Sequence, residues 1–284
     1  MEKESAYKVM ARHARSFTPA SWLLARPDRE RIARLYTLCR CVDDLADIDG
    51  SVAAATRLAN VSAEVRFGSP KDSLAIEALS LFENRPRARD AFVRLVDGVQ
   101  GDIGAVAIPD KVSLERYCQA VAGTVGIMVC ELFEVGKQHH AAASSLGRAM
   151  QLTNICRDVL EDAHAGRRYL PGDLCPLSAD QIAYATLEAR KTVRNSVRYC
   201  LTEAEGLYDI GIRTCPSLPL RLRLAVIVAA ALYRDIGRSL LRTGGDPMLG
   251  RARLHLGRKI WVALLALART TLWGRCTSRV NAHA

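Results

Sequence analysis

The stretch QLTNICRDVLED, Gln151–Asp162, decides how this chain folds. Gln151, Asn154, Asp158 and Asp162 recur at offsets of three and four, which places them on one face of an α-helix. Ile155, Cys156, Val159 and Leu160 make the rest of that helix apolar. A second stretch, LYTLCRCVDDLAD, Leu35–Asp47, repeats the arrangement with Tyr36, Arg40, Asp43 and Asp47 set among Leu35, Leu38, Cys39, Val42, Leu45 and Ala46. A helix apolar on most sides is expected to be buried. A buried carboxylate in turn needs a cation or a hydrogen-bonding partner. One i,i+4 acidic pair is ordinarily a solvated face, but two stripes in apolar surroundings point to facing walls of a cavity.

Helical patterning extends over nearly the whole chain. Pro27 and Asp28 open the first acidic helix, with Asp28 as its N-cap, and it runs to about Ile48. Further helices are expected over residues 51–66, 72–83, 87–99, 113–135 and 141–163. Ser178 and Gln181 form a capping box for a helix reaching Ile212, and two more helices follow, one ending at Arg242 and one over 253–273. Gly98–Lys111 reads as a break and Gly166–Pro176 as a loop, both from their glycines and prolines. No run alternates in the strand pattern, and no glycine-rich dinucleotide turn follows a strand. The 284 residues suit one large domain or two small ones. The expectation is an all-α single domain over residues 1–284, with long helices around a central apolar cavity.

Composition narrows the class of function less sharply. The chain is 49% hydrophobic and 25% charged, enough for a substantial core on an ordinary soluble surface. Forty Lys and Arg oppose thirty Asp and Glu, a net charge of +10 that suits nucleic acid, an acidic membrane surface, a phosphorylated small molecule, or solubility alone. The nine cysteines form no C-x-x-C pair and mostly lie in apolar helical runs, as expected of reduced thiols in a cytoplasmic protein. The polar start MEKESAYKVMARHARSF does not read as a secretory signal. The longest apolar runs, Leu224–Tyr233 and Ile260–Ala268, are shorter than the roughly 20 residues that span a bilayer. The basic stretch Arg251–Lys259 followed by the second run suits either a helix lying on an anionic membrane or a core helix with a basic, solvated end.

The two acidic stripes carry the chemistry. Carboxylate and amide oxygens are hard ligands of the kind Mg2+ prefers, and that ion takes its remaining ligands from water and phosphate. Arg40, Arg157, Arg167 and Arg168 lie on or just beyond the acidic helices, and guanidinium groups grip phosphate oxygens in a fork. Each arginine alone is equally a salt-bridge partner for a nearby aspartate. Together the residues suit a diphosphate held through hard cations. A nucleic-acid-binding protein would explain the charge but not the buried acids, and no recognised binding motif is present.

The chain resembles the squalene/phytoene synthase family along nearly its whole length. The resemblance rests on HARSF (His13–Phe17), LYTLCRCVDDLAD, YCQAVAGTVG (Tyr117–Gly126), QLTNICRDVLEDAHAGRRYLP (Gln151–Pro171) and ALYRDIG (Ala231–Gly237). It implies the isoprenoid synthase fold and a head-to-head condensation of two prenyl diphosphates through a cyclopropylcarbinyl diphosphate. It implies Asp43, Asp47, Asn154, Asp158 and Asp162 as ligands of Mg2+, for which Mn2+ would also serve. His13, Ser16, Phe17, Arg40, Gln151, Asn154, Arg157 and Arg167 match substrate-binding positions. Tyr36, Arg40, Tyr169 and Tyr233 match catalytic positions lining the cavity. A non-catalytic prenyl-lipid binder of the same fold would be expected to lose metal ligands, and all four aspartates are present.

Three positions depart from the family pattern: Ala14 and Gln119, where serine and tyrosine are usual, and GVQGD at Gly98–Asp102. If the tyrosine at the Gln119 position assists a half-reaction, the reaction here would stop at the cyclopropyl diphosphate or use glutamine differently. EDAHAGRRYLP resembles bacterial phytoene synthases, and the small Ser21, one turn beyond Phe17, leaves room for a longer tail. Both favour the C20 substrate geranylgeranyl diphosphate. The alternative is C15 farnesyl diphosphate, giving presqualene diphosphate, dehydrosqualene or squalene, and squalene alone would require NADPH.

Overall fold

Apolar periodicity over His140–His164 produces one unbroken helix whose buried side carries Leu146, Ala149, Leu152, Ile155, Cys156 and Val159. The computed structural model describes residues 6–14 and 17–280, and for His13, Phe17, Pro216 and residues 271–280 the backbone alone. Within them the helices are α1 (Ala6–His13), α2 (Phe17–Ser21), α3 (Arg26–Asp44), α4 (Val52–Phe67), α5 (Ser73–Leu81), α6 (Pro86–Gln100), α7 (Lys111–Cys118), α8 (Thr124–Leu132), α9 (His140–His164), α10 (Ala179–Ala183), α11 (Leu187–Arg213), α12 (Leu220–Arg242) and α13 (Leu256–Val280).

Two apolar cores flank the functional cavity. One joins α3, α4, α5, α6 and α8 through Leu38, Val42, Leu58, Phe92, Leu95 and Met128. The other joins α9, α11 and α12 through Ile155, Cys156, Val197, Leu201, Tyr208 and Ala230. Full burial of each leucine- or phenylalanine-sized side chain contributes on the order of 1.5–3 kcal/mol. α8 and α9 cross almost backbone to backbone. A Cβ on Gly126 would lie 2.2 Å from the Ala143 carbonyl oxygen, and one on Gly147 would lie 2.2 Å from that of Ala122.

Several local expectations are corrected. α3 is entered from Ala25 without a side-chain cap, so Asp28 is not its N-cap. Pro27 and Asp28 instead fill the first turn, where a missing N–H and a negative charge both suit a helix start. The first acidic helix is not α-helical throughout, because Leu45–Asp49 forms a π turn that ends at Gly50 with φ +57°. A second π turn, Gln119–Gly123, separates α7 from α8. The helix expected over 113–135 starts earlier, at Lys111, because the Asp110 side chain accepts a hydrogen bond from the Ser113 N–H at 2.7 Å. Ser178 and Gln181 do form the capping box, yet α10 stops at Ala183, and Thr186 caps a new helix through the Ala189 N–H. Two short strands, β1 (Val106–Ala107) and β2 (Arg167–Arg168), pair in parallel and tie the 98–111 break to the 166–176 loop. Two residues are too few to leave an alternating pattern in the sequence.

Candidate active site

α9 presents Gln151, Asn154, Asp158 and Asp162 to a cavity of about 580 Å³, and Arg40, Asp43 and Asp47 face them from α3 and its π turn. Asp102, Tyr117, Glu161, Arg167, Tyr169 and Arg251 complete the polar wall. This cavity shares Arg40, Asp43, Gln151, Asn154 and Arg157 with a second one of about 630 Å³, which adds Tyr36, Cys39, Tyr233, Ile236 and Leu254. The second shares Ala122, Val125, Gly147 and Met150 with a third, of about 210 Å³, whose walls are almost wholly apolar. Ser21 lies on that third wall with its hydroxyl turned back to the Thr18 carbonyl at 2.7 Å, so it presents little bulk. The shared walls make a passage that is charged at one end and apolar at the other.

The charged end holds six carboxylates against four guanidiniums. Arg157 Nε donates to Asp158 Oδ1 at 2.8 Å, and Arg251 Nε approaches the same oxygen at 2.8 Å. Arg167 donates to Asp47, and to the Ala46 carbonyl at 3.3 Å. Arg40 pairs with Asp44 at 2.6 Å. Burial, reinforced by the charge of Asp47, pushes the Asp43 carboxyl up to about 7 against the pull of Arg40. Asp43 is half-buried and lines the cavity. Asp162 is likewise pushed up to about 7 by burial and by Asp158, with Arg167 opposing. Such carboxyls hold their negative charge at a cost that a bound cation would relieve. Burial also raises the Tyr36 phenol to about 12 and lifts that of Tyr233, which Arg157 opposes.

The donor set suits a divalent cation shared with an anionic ligand. Among the described residues no three carboxylate, imidazole or thiolate groups converge to hold an ion alone. Mg2+ ordinarily takes only one or two carboxylates and completes its shell with water and phosphate. Asn154 Oδ1, Arg40 Nε and Arg167 Nε are buried without a hydrogen-bond partner. One acceptor for a cation and two donors for an anion are thus left unsatisfied in the same cavity.

Several sequence-predicted residues fall elsewhere. Asp47, expected to be buried, is exposed at the cavity mouth, because the π turn carries it outward. Arg168 lies off the cavity and donates to the Ile108 and Leu170 carbonyls at 2.9 and 2.5 Å, bracing the loop. Gln119 is absent from the walls of the passage and accepts from Ser144 Oγ at 2.7 Å. The side chains of His13 and Phe17, and all of Ser16, lie outside the described residues. Sequence reasoning missed Asp102, Tyr117, Glu161 and Arg251. Asp102 is only 7% exposed and accepts from Tyr117 at 2.8 Å and from Tyr169 at 3.0 Å, the two rings stacking at 5.1 Å. Burial, offset by those two hydrogen bonds, pushes its carboxyl up to about 6. The only sequence signals were the aspartate closing GVQGD and the tyrosine opening YCQAVAGTVG.

The family model for squalene/phytoene synthase matches residues 10–259. The chain belongs to the squalene/phytoene synthase family. A phytoene synthase of Thermus thermophilus is 34% identical over 276 residues, covering 96% of this chain and 93% of that protein. A presqualene diphosphate synthase of Rhodopseudomonas palustris is 38% identical over 167 residues, covering 56% of this chain and 59% of that protein. The crystal structure of a dehydrosqualene synthase in complex with ligand aligns with a TM-score of 0.82 at 25% identity, covering 94% of this chain and 95% of that one. The fold is therefore the all-α isoprenoid synthase fold, and the chain is a prenyltransferase of the head-to-head type. Members of the family use a divalent metal for their diphosphate substrates. No described helix is long and apolar enough to cross a membrane.

Proposed function

We propose that the chain is a single-domain phytoene synthase that joins two molecules of geranylgeranyl diphosphate in the cytoplasm, in peripheral contact with an anionic membrane. The observation that carries this reading is the passage itself: a carboxylate- and arginine-walled chamber opening into an apolar one that runs past Ser21. A prenyl diphosphate has the same polarity profile. Asp43 and Asp47 on one wall, and Asn154, Asp158 and Asp162 on the other, would hold Mg2+, with Mn2+ as a substitute. When bound, the metal neutralises charge developing on the departing diphosphate.

The remaining steps fall to the protein. Arg40, Arg157, Arg167 and Arg251 donate to diphosphate oxygens in place of their present carboxylate partners. The apolar walls exclude water from the allylic cation left behind. The C2–C3 double bond of the second substrate attacks that cation, a proton is lost, and a cyclopropylcarbinyl diphosphate forms. A second loss of diphosphate, rearrangement of the resulting cation and loss of a second proton to the released diphosphate give the linear hydrocarbon without a reductant. Tyr36 and Tyr233, both held protonated by burial, flank the chamber between the charged and apolar ends. Because Gln119 turns to Ser144 and away from the passage, it gives no reason for the reaction to stop at the cyclopropyl stage.

The second reading, a C15 substrate, is favoured by the 38% identity to a presqualene diphosphate synthase over part of the chain. Incubation with Mg2+ and either farnesyl or geranylgeranyl diphosphate, with and without NADPH, separates the two. A C40 hydrocarbon formed from the C20 substrate without NADPH is expected. A C30 product formed in preference would overturn the C20 assignment, and dependence on NADPH would point to squalene.

A further inference from the structure

α13 wears its apolar residues outward. At 100° per residue Leu256, Ile260, Leu264 and Ala268 form one row, and Trp261 and Leu265 the next. All six are exposed, Leu256 to 73% and Trp261 to 55%. No charged residue falls on that face from Leu256 to Ala268. The inward side is small or polar: Val262 and Ala266 are buried, and Arg258 forks onto the buried Asp235 of α12 at 2.7 and 2.6 Å. A soluble surface helix has the opposite arrangement. Behind Trp261 and Leu265, an open groove of about 610 Å³ against α12 continues the apolar surface over Ile227 and Ala231.

Charge selects the occupant. Residues 247–284 contain seven arginines and lysines and no aspartate or glutamate. Lys259 and Arg269 flank the apolar face at helical spacing, and the exposed Arg253 precedes the helix. A second copy of the chain would bring the same cations to a self-complementary contact, whereas an anionic lipid surface accepts both the apolar stripe and its basic edge. The contact is also coupled to the site, since Arg251, Ala252, Arg253, Leu254 and Lys259 form one wall of the middle chamber.

We infer that the Leu256–Ala268 face of α13 seats the enzyme on an anionic bilayer, and that this brings the Arg251–Leu254 wall to the lipid surface. Apolar-tailed substrate and product then exchange with the bilayer instead of with water. The exchange step rests on the prenyl diphosphate reading of the cavity, while the docking step rests on α13 alone. The sequence pairs the basic stretch Arg251–Lys259 with the apolar run after it; in the structure Arg251 and Arg258 are spent on Asp158 and Asp235, and the leucines of the run face out.

The test is flotation of the full chain with vesicles of phosphatidylcholine alone, or mixed with phosphatidylglycerol. Ile260→Glu and Leu264→Glu are the variants, since both side chains are exposed and neither lines the passage. Wild type is expected to float with the mixed vesicles. Each variant should partition at least about tenfold less, the consequence of denying lipid one large apolar side chain. Both variants should melt like wild type and turn over detergent-dispersed geranylgeranyl diphosphate at the wild-type rate, yet lag when substrate is supplied in vesicles. Wild type that stays in solution, floats equally with neutral vesicles, or floats no better than the variants overturns the assignment. So does a wild-type dimer that Ile260→Glu splits, because the face would then belong to a second copy. Absence of turnover in detergent with flotation intact would reject the synthase reading and the exchange step, and leave docking standing.

Discussion

The two aspartate-bearing walls look alike as sequence but differ as structures. The α9 wall is continuous helix, and Asp158 is clamped from two directions, by Arg157 beside it and by Arg251 from the segment before α13. The α3 wall changes from α to π geometry after Asp44, so that Asp43 stays inside while Asp47 swings to the mouth. One wall is a regular helix. The other is a short irregular turn held by Arg167 across the opening. In this arrangement the α9 wall carries its ion pairs on a regular helix, and the α3 wall carries Asp47 on an irregular turn paired across the opening.

The strongest way to break that comparison is to neutralise one carboxylate on each wall. Asp158→Asn removes a charge from a partly buried site and leaves two guanidiniums unbalanced, so kcat/KM is expected to fall about 10²–10³-fold. Asp47→Asn acts in a more hydrated setting and is expected to cost closer to tenfold. Equal losses from the two substitutions would show the walls to be equivalent. Next in size is Asp102→Asn, which keeps the shape but weakens the hold on Tyr117 and Tyr169. A drop of about tenfold in kcat with KM little changed is expected, and a pure KM effect would reduce Asp102 to scaffolding.

Proton linkage sharpens the same contrast. The Asp43 and Asp162 carboxyls are both raised, from ordinary carboxylate values to about 7, chiefly by burial. Between those limits the folded chain binds more protons than the unfolded one, so stability falls as pH rises. The penalty is complete above about 7 and vanishes towards pH 4. Mg2+ should therefore raise the melting temperature more at pH 8 than at pH 5.5, and an equal rise at both would remove the linkage. Asp43→Asn and Asp162→Asn, measured separately, would show which wall supplies more of the effect. The smallest change expected is from Ser144→Ala, which deletes the hydrogen bond to Gln119. It should cost about 1 kcal/mol of stability and leave turnover within about twofold, since Gln119 does not reach the passage.

Spacing along a helix made one half of each wall legible. Gln151, Asn154, Asp158 and Asp162 share a face because residues three and four apart always do, and the cavity lies where that face points. Helix spans were similarly readable from apolar periodicity, and the Ser178–Gln181 box from its capping chemistry. What escaped depends on contacts between distant segments or on backbone irregularity. Asp102 gains its meaning only when Tyr117 and Tyr169 converge on it, and Tyr169 is positioned by a two-residue strand pair with no sequence pattern of its own. Arg251 looked like part of a membrane-facing basic run until the fold set it against Asp158. The π turn at Leu45 has ordinary helix-forming residues, so nothing in its composition separates it from the α-helix it extends.

The contact of α8 with α9 at Gly126 and Gly147 has a consequence for how the enzyme can be altered. Both glycines border the apolar chamber, and there the packing is main chain against main chain. Any residue larger than glycine at either position would drive a Cβ into a carbonyl oxygen. Reshaping of the chamber therefore has little freedom at these two positions. Change is open instead to other side chains on the same apolar walls, such as Ser21, Cys215 and Leu218, so the room for a tail is adjustable there and not at the helix crossing.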